Sequence, residues 1–165
     1  RRIVELLETL LESGFAPRSA FKLVNTVLLL TGGEQHPAAL DAGCIDLYTG
    51  ALEIFKLGAP GAFVMGQEGI QVLEGRQVPA GALEQAEPVL LSRKLWDGDR
   101  LIMVTDGVLD GLPGDDKEQV MGQFLDSLEE MPPQDMAEHV LDVALSFVPG
   151  ARDDMTVLAV QGWKK

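Results

Sequence analysis

Three aspartates stand where paired strands could bring oxygen donors together. Asp106 closes the apolar run 101–105 in RLIMVTDGVLDG (100–111), and Asp153 and Asp154 precede a second apolar run in GARDDMTVLAV (150–160). If the two runs pair as antiparallel strands, the end of the first lies beside the start of the second. Asp106 and Asp153 then meet at one rim of the sheet. Carboxylates that close repel each other unless a proton or a cation sits between them. Hard divalent ions such as Mg²⁺ and Mn²⁺ take such oxygen ligands. Spacing alone leaves a second reading open, because Asp-Gly after a strand is also a common turn and Asp before a strand is ordinary loop chemistry. Gly107 allows the chain to turn away from the strand. Asp110 and the pair Asp115-Asp116 are weaker candidates, and Asp115 is placed for a helix N-cap or a first-turn acid.

The elements that must position these residues follow from periodicity. Ile3, Leu6, Leu7, Leu10 and Leu11 recur at helical spacing until Gly14. That apolar stripe needs a partner surface. A second helix starts near Pro17, carries Ala20, Leu23, Val24 and Val27 inward, and stops at Gly32-Gly33. Three hairpins are expected next. AALDAGCID (38–46) and ALEIFKL (51–57) flank LYTG; AFVM (62–65) and IQVL (70–73) flank GQEG; VLLSRKLW (89–96) and RLIMVT (100–105) flank Asp97-Gly98-Asp99. Helices over 117–131 and 134–147 precede a last strand, 155–161. Short hairpins make antiparallel sheets, and helices grouped before and after them give an α+β layered domain. No internal repeat, low-complexity tract or linker interrupts the chain.

The 165 residues suit one domain with a sizeable core, and a composition of 46% hydrophobic and 24% charged residues is globular. A formal net charge of -13 repels phosphate backbones and anionic membranes, which argues against nucleic acid as a partner and against membrane contact by this segment. No apolar run approaches the ~20 residues that span a bilayer. The single cysteine, Cys44, cannot form an internal disulfide and fits a reducing cytoplasm. Its apolar strand pattern makes it a small core residue. His36, in a loop, and His139, within a helix, are left out of the site, and Met121, Met131 and Met136 read as helix core or helix ends.

The ordered set of motifs carries a resemblance. VTDGVLDG and ARDDMTVLAV resemble the last two metal-binding motifs of the metal-dependent, phosphatase 2C-like protein phosphatases. IDLYTGALEIFKLGAPGAFVMGQEGIQVLEG (45–75), followed by VPAG (78–81), resembles the phosphatase domain of the stage II sporulation protein E family. The resemblance runs through essentially the whole chain. It implies an α+β fold, an antiparallel β-sheet sandwich flanked by helices. It implies that Asp106 and Asp153 are ligands of a Mn²⁺ or Mg²⁺ centre, dinuclear in the complete domain. Gly107 matches the glycine after the strand. Asp154 stands where many relatives have Asn, and takes a supporting role, orienting a water at the metal or capping the turn.

The family also has an earlier Asp-Gly-Met-Gly-like motif whose aspartate bridges two metals, and no stretch of this chain matches it. Residues 1–165 are therefore expected to form a single partial phosphatase domain, N-terminally truncated, with little activity of its own. By the resemblance, the parent protein is a protein serine/threonine phosphatase. It removes phosphate from phosphoserine on an anti-anti-sigma factor and so controls sigma-factor activation in sporulation. The domain is cytoplasmic in a protein anchored in the membrane at its N-terminus, and a homodimer is a further expectation. The N-terminal helices and the loop 78–81 are switch or dimer elements. The rival reading is a non-catalytic phosphatase-like module for partner binding or assembly. A calcium-stabilised structural domain is weaker, because the alternating D-x-[DN]-x-[DN]-G loop is absent.

Overall fold

The computed structural model describes residues 2–31, 38–75, 78–83, 87–147 and 153–163. In chain order the elements are α1 (Arg2–Glu12), α2 (Pro17–Leu30), β1 (Leu40–Ile45), β2 (Ala51–Leu57), β3 (Ala62–Gly66), β4 (Gly69–Leu73), β5 (Val89–Lys94), β6 (Arg100–Val104), α3 (Asp106–Asp110), α4 (Lys117–Asp126), α5 (Pro133–Phe147) and β7 (Val157–Gln161). They form two compact units, each with its own sheet and helices.

The first unit contains α1, α2 and a sheet of order β1-β2-β5. The β1–β2 hairpin is antiparallel from Leu40↔Leu57 to Ile45↔Leu52. Phe55 and Leu57 project from one face of β2 into a core with Leu7, Ala20, Phe21 and Val24. Ile3, Leu6, Leu10 and Leu11 of the α1 stripe pack against that core. The inward face of α2 differs from the periodicity. Ala20 and Val24 are fully buried, but Leu23 and Val27 are 40% and 37% exposed, and Phe21 and Asn25 take their places. Apolar residues nearly encircle this helix, so period alone does not choose the face. Specific contacts choose it. Phe21 stacks on Phe55 with ring centroids 5.4 Å apart. Asn25 Oδ1 accepts from the Gly81 N–H at 2.8 Å, and its Nδ2 donates to the Leu83 carbonyl at 3.2 Å. The expected stop at Gly32-Gly33 and His36 fall outside the described residues.

The second unit contains a sheet of order β4-β3-β6-β7 covered by α3, α4 and α5. Every pairing in it is antiparallel. One face carries Phe63, Ile102, Val104, Val72, Val157 and Ala159 into a core with Met121, Leu125, Met136 and Val140 of the helices. The central strand β6 is buried on both faces, Leu101 and Met103 as well as Ile102 and Val104, so its own alternation does not choose the face that meets the helices.

The third expected hairpin does not form. β5 is bonded to β2, whereas β6 pairs with β3 and β7. The tight turn itself is present: Asp99 N–H donates to the Trp96 carbonyl at 3.0 Å, Asp99 Oδ2 accepts from Trp96 N–H at 2.8 Å, and Gly98 takes φ +87°. Its outer groups are taken elsewhere. Gly98 N–H bonds the Gly162 carbonyl, Gly162 N–H bonds the Asp99 carbonyl, and Leu95 N–H bonds the Gly50 carbonyl. A turn residue pattern fixes a reversal but not the partner of the strands it joins.

The start of α4 at Lys117 is as expected, but its end and its cap differ. α4 ends at Asp126 instead of running to 131, where Ser127 turns its hydroxyl back onto the Phe124 carbonyl at 2.6 Å. Its N-cap is Asp116, which accepts from Gln119 N–H at 3.0 Å, so Asp115 is not the cap.

One polar pair sits inside the first unit. Lys56 of β2 is fully buried and pairs with Asp41, its direct cross-strand neighbour on β1. The lysine stem lies against Gly75, where an added Cβ would come within 2.8 Å of Lys56 Cδ. Asp41 Oδ1 is buried with no hydrogen-bond partner among the described residues. Desolvation raises the Asp41 carboxyl from 3.8 to about 6, against the opposing attraction of Lys56. The folded chain thus holds this proton more tightly than the unfolded chain. The stability that the proton brings is complete below pH 3.8 and is lost as pH rises through about 6. Lys56→Met should destabilise the protein at pH 7 by about 3–5 kcal/mol, because it strands a buried carboxylate. The double variant Asp41→Leu/Lys56→Met should recover most of that loss. Chemical denaturation of the parent, Asp41→Leu, Lys56→Met and the double variant at pH 5 and pH 7 checks both the coupling and its pH dependence.

Candidate functional site

The β6–β7 ladder runs from Arg100↔Gln161 to Val104↔Val157. One further bond extends it, from Thr105 N–H to the Thr156 carbonyl at 3.1 Å. Asp106 follows directly on one strand, and Asp153 and Asp154 precede the other. All three aspartates are exposed. The rim expected from the sequence is thus assembled by strand register.

Side chains and a glycine tighten this rim. The Thr105 hydroxyl donates to the Asp154 carbonyl at 3.1 Å and accepts from Thr156 N–H at 2.9 Å. Asp153 Oδ1 accepts from Asp154 N–H at 2.8 Å, which orients the Asp153 carboxylate along its own backbone. Asp106 opens the five-residue helix α3, which the sequence pattern did not announce. Gly107 lies inside that helix and has no left-handed φ, so it is not a turn glycine. Its role is close approach. A Cβ there would stand 2.6 Å from the Asp154 carbonyl oxygen and 3.4 Å from Asp153 Cβ.

The remaining candidates lie apart from this arrangement. Asp110 ends α3, and Asp116 is committed to its helix cap. The His139 ring, on α5, tilts against Phe124 with centroids 5.8 Å apart. Cys44 is half-buried in β1, where burial, with a smaller push from Glu53, raises its thiol above the usual range. Such a thiol is a poor nucleophile. Among the described residues no group of three His, Cys, Asp or Glu is arranged to hold a metal ion. What the sequence reading missed at the rim is Thr105. Its hydroxyl sits at a strand end between an apolar run and a carboxylate, and that position was the available signal.

Antiparallel sheets backed by helices, with Asp106 after β6 and Asp153 before β7, match a phosphatase 2C-type fold. The phosphatase domain of the cell fate determinant SpoIIE from Bacillus subtilis, in a structure presoaked with Mn, superposes with a TM-score of 0.74 at 27% identity, over 100% of this chain and 74% of that one. A longer structure of that protein, holding its PP2C phosphatase domain and a fragment of its regulatory domain, gives a TM-score of 0.87 at 27% identity, over 97% of this chain and 48% of that one. The chain belongs to the stage II sporulation protein E family, whose profile matches residues 1–162. It is 28% identical to stage II sporulation protein E of Bacillus subtilis over 160 residues, 96% of this chain and 19% of that protein. The chain therefore spans about a fifth of the length of that relative.

The contact at Gly107 has a measurable consequence. Gly107→Ala should cost about 1–3 kcal/mol, because the new methyl group must displace the 153–154 backbone. Gly122, also helical, meets nothing nearer than 3.9 Å. Gly122→Ala should instead gain about 0.5–1 kcal/mol from helix propensity. Thermal melts of the two variants beside the parent chain separate a steric glycine from a merely helical one.

Proposed function

We propose that this chain is the catalytic part of a metal-dependent protein serine/threonine phosphatase that acts on phosphoserine. The observation that carries the reading is the acidic rim of Asp106 and Asp153, set by the β6–β7 register in a chain of this family. The donor set suits Mn²⁺ or Mg²⁺. Both residues offer hard oxygen atoms, both are exposed, and the Asp153 carboxylate is oriented by the Asp154 amide. When bound, the cation supplies Lewis-acid polarisation of the phosphoryl group and lowers the pKa of water. Asp106 and Asp153 hold the site. Asp154 supports it by fixing the Asp153 carboxylate through its backbone N–H. Thr105 and Gly107 keep the two segments together. No side-chain nucleophile is needed, in keeping with a half-buried Cys44 whose thiol is raised.

The substrate we assign is a phosphorylated anti-anti-sigma factor, whose dephosphorylation activates a sigma factor in sporulation. This assignment rests on the family alone. By the family pattern the centre would be dinuclear, with an Asp-Gly-Met-Gly-like aspartate as a further ligand supplied by a longer domain. Among the described residues no helix is long and apolar enough to cross a membrane. The domain we propose is cytoplasmic, dimerises, and belongs to a protein anchored through another segment.

Phosphate release from a phosphoserine protein, followed across a Mn²⁺ titration, tests the reading. The 165-residue chain should turn over very slowly. A longer polypeptide that carries an Asp-Gly-Met-Gly-like stretch should be active. In that longer protein, Asp106→Asn or Asp153→Asn should lower the rate by at least about a hundredfold while leaving the fold intact, because loss of one anion relieves repulsion between the carboxylates. Strong turnover by the short chain would show the site to be misassigned. An inert longer protein would favour the partner-binding module.

A further inference from the structure

The Asp154 carbonyl oxygen is touched from two sides. Thr105 donates its hydroxyl to it at 3.1 Å, and the Cα of Gly107 crowds it so closely that a Cβ would come within 2.6 Å. Thr105 and Gly107 are the two neighbours of Asp106 in the chain. Asp154 is the neighbour of Asp153, whose carboxylate it holds through its N–H. One backbone carbonyl thus accepts from one neighbour of Asp106 and lies against the other, where only glycine leaves room, and it belongs to the residue that orients Asp153. The Thr105 hydroxyl also accepts from Thr156 N–H at 2.9 Å, so a single oxygen ties two points of the 154–156 segment.

We infer that Thr105 is a positioning residue for the cation site of Asp106 and Asp153, an inference that rests on the metal-dependent reading above. Backbone pairing of β6 with β7 ends at the bond between Thr105 N–H and the Thr156 carbonyl. Beyond it the ladder has no further backbone bond among the described residues. The Thr105 hydroxyl adds two bonds at that place, one as donor and one as acceptor. A hydroxyl can do both at once, and the side chain of valine, with the same shape, can do neither. Without those bonds the 153–154 segment relaxes away from Asp106, and the cation must reassemble its ligands when it binds. Residues that orient ligands without touching the metal change affinity by about 10–100-fold when removed.

The test is Mn²⁺ binding, read by water-proton relaxation during titration with MnCl₂, which detects sites well into the millimolar range. The proteins are the full chain, Thr105→Val, Thr105→Ala, Thr105→Ser and Asp106→Asn, each checked by thermal melting in EDTA and titrated well below its melting point. Thr105 is exposed, so the valine and alanine variants leave the core untouched. We expect the Mn²⁺ dissociation constant to rise about tenfold in Thr105→Val and Thr105→Ala. Thr105→Ser, which keeps the hydroxyl, should stay within about twofold of the parent. Asp106→Asn should lose the site. Parent-like affinity in Thr105→Val and Thr105→Ala, beside loss in Asp106→Asn, overturns the positioning role and leaves the metal site standing. A lower melting point with unchanged affinity also overturns it, since that is a structural role alone. No Mn²⁺ binding by the parent, or binding untouched in Asp106→Asn, overturns the metal site and the inference with it.

Discussion

The register of β6 against β7 is the constraint on which the second unit depends. Ile102↔Ala159 and Val104↔Val157 put four apolar residues on the face that meets α4 and α5. A slip of β7 by one residue would turn Val157 and Ala159 away from the helices and put Leu158 and Val160 in their place, while β6 stays held by β3. The same slip would carry Asp106 past the 153–154 segment. Core and rim are therefore specified together, and the rim needs no separate stabilising core. This coupling explains how exposed, mutually repelling acids stay in place: about 0.8 kcal/mol for each buried methylene holds the ladder that presents them.

The first unit is organised by a different trade. Lys56 lies fully buried on the face of β2 that carries Leu52 and Ile54, opposite the face that α1 and α2 cover. An apolar residue there would be cheaper to bury. An ion pair taken out of water recovers its desolvation cost only with good geometry, and here one oxygen of Asp41 has no partner among the described residues. What the pair does supply is register. Lys56 and Asp41 face each other across β1 and β2, and a slip by one residue would bury both charges apart. The β1–β2 hairpin is thus pinned by penalty, while β6–β7 is pinned by apolar matching.

These two mechanisms mark what the sequence disclosed. Hairpins whose strands are their own best partners were legible, as in β1–β2 and β3–β4, where turn residues and alternation agree. The turn at Trp96–Asp99 was equally legible as a turn, yet its strands part company. The choice between β5 and β7 as the neighbour of β6 is made by residues some sixty positions apart, through Gly162 and Gly98. The face of α2 was hidden for a related reason: Asn25 is buried because a distant loop offers Gly81 and Leu83, and no local period encodes that. Asp106 and Asp153 were readable because each adjoins a strand of unambiguous pattern. Thr105 and Gly107 were present in the same stretch, but their roles depend on the Asp154 carbonyl, which lies across the sheet.

Charge gives the rim its final meaning. A chain of net charge -13 repels a phosphorylated substrate as it repels nucleic acid. Screening confines that repulsion to about 8–10 Å, so the charge near the rim decides the encounter. Two carboxylates alone make it worse. On the proposed reading, the acids are there to be outweighed. On that reading Asp106 and Asp153 would hold a divalent ion that cancels their charge, and a second ion would turn the local sign positive. The acidic surface then becomes an asset, since it draws divalent cations toward the rim while a phosphoserine is favoured only where the ions sit. Selectivity for the loaded site follows from the same charge that would otherwise exclude the substrate, which is why the geometry that holds the two carboxylates together matters more than the number of acids around them.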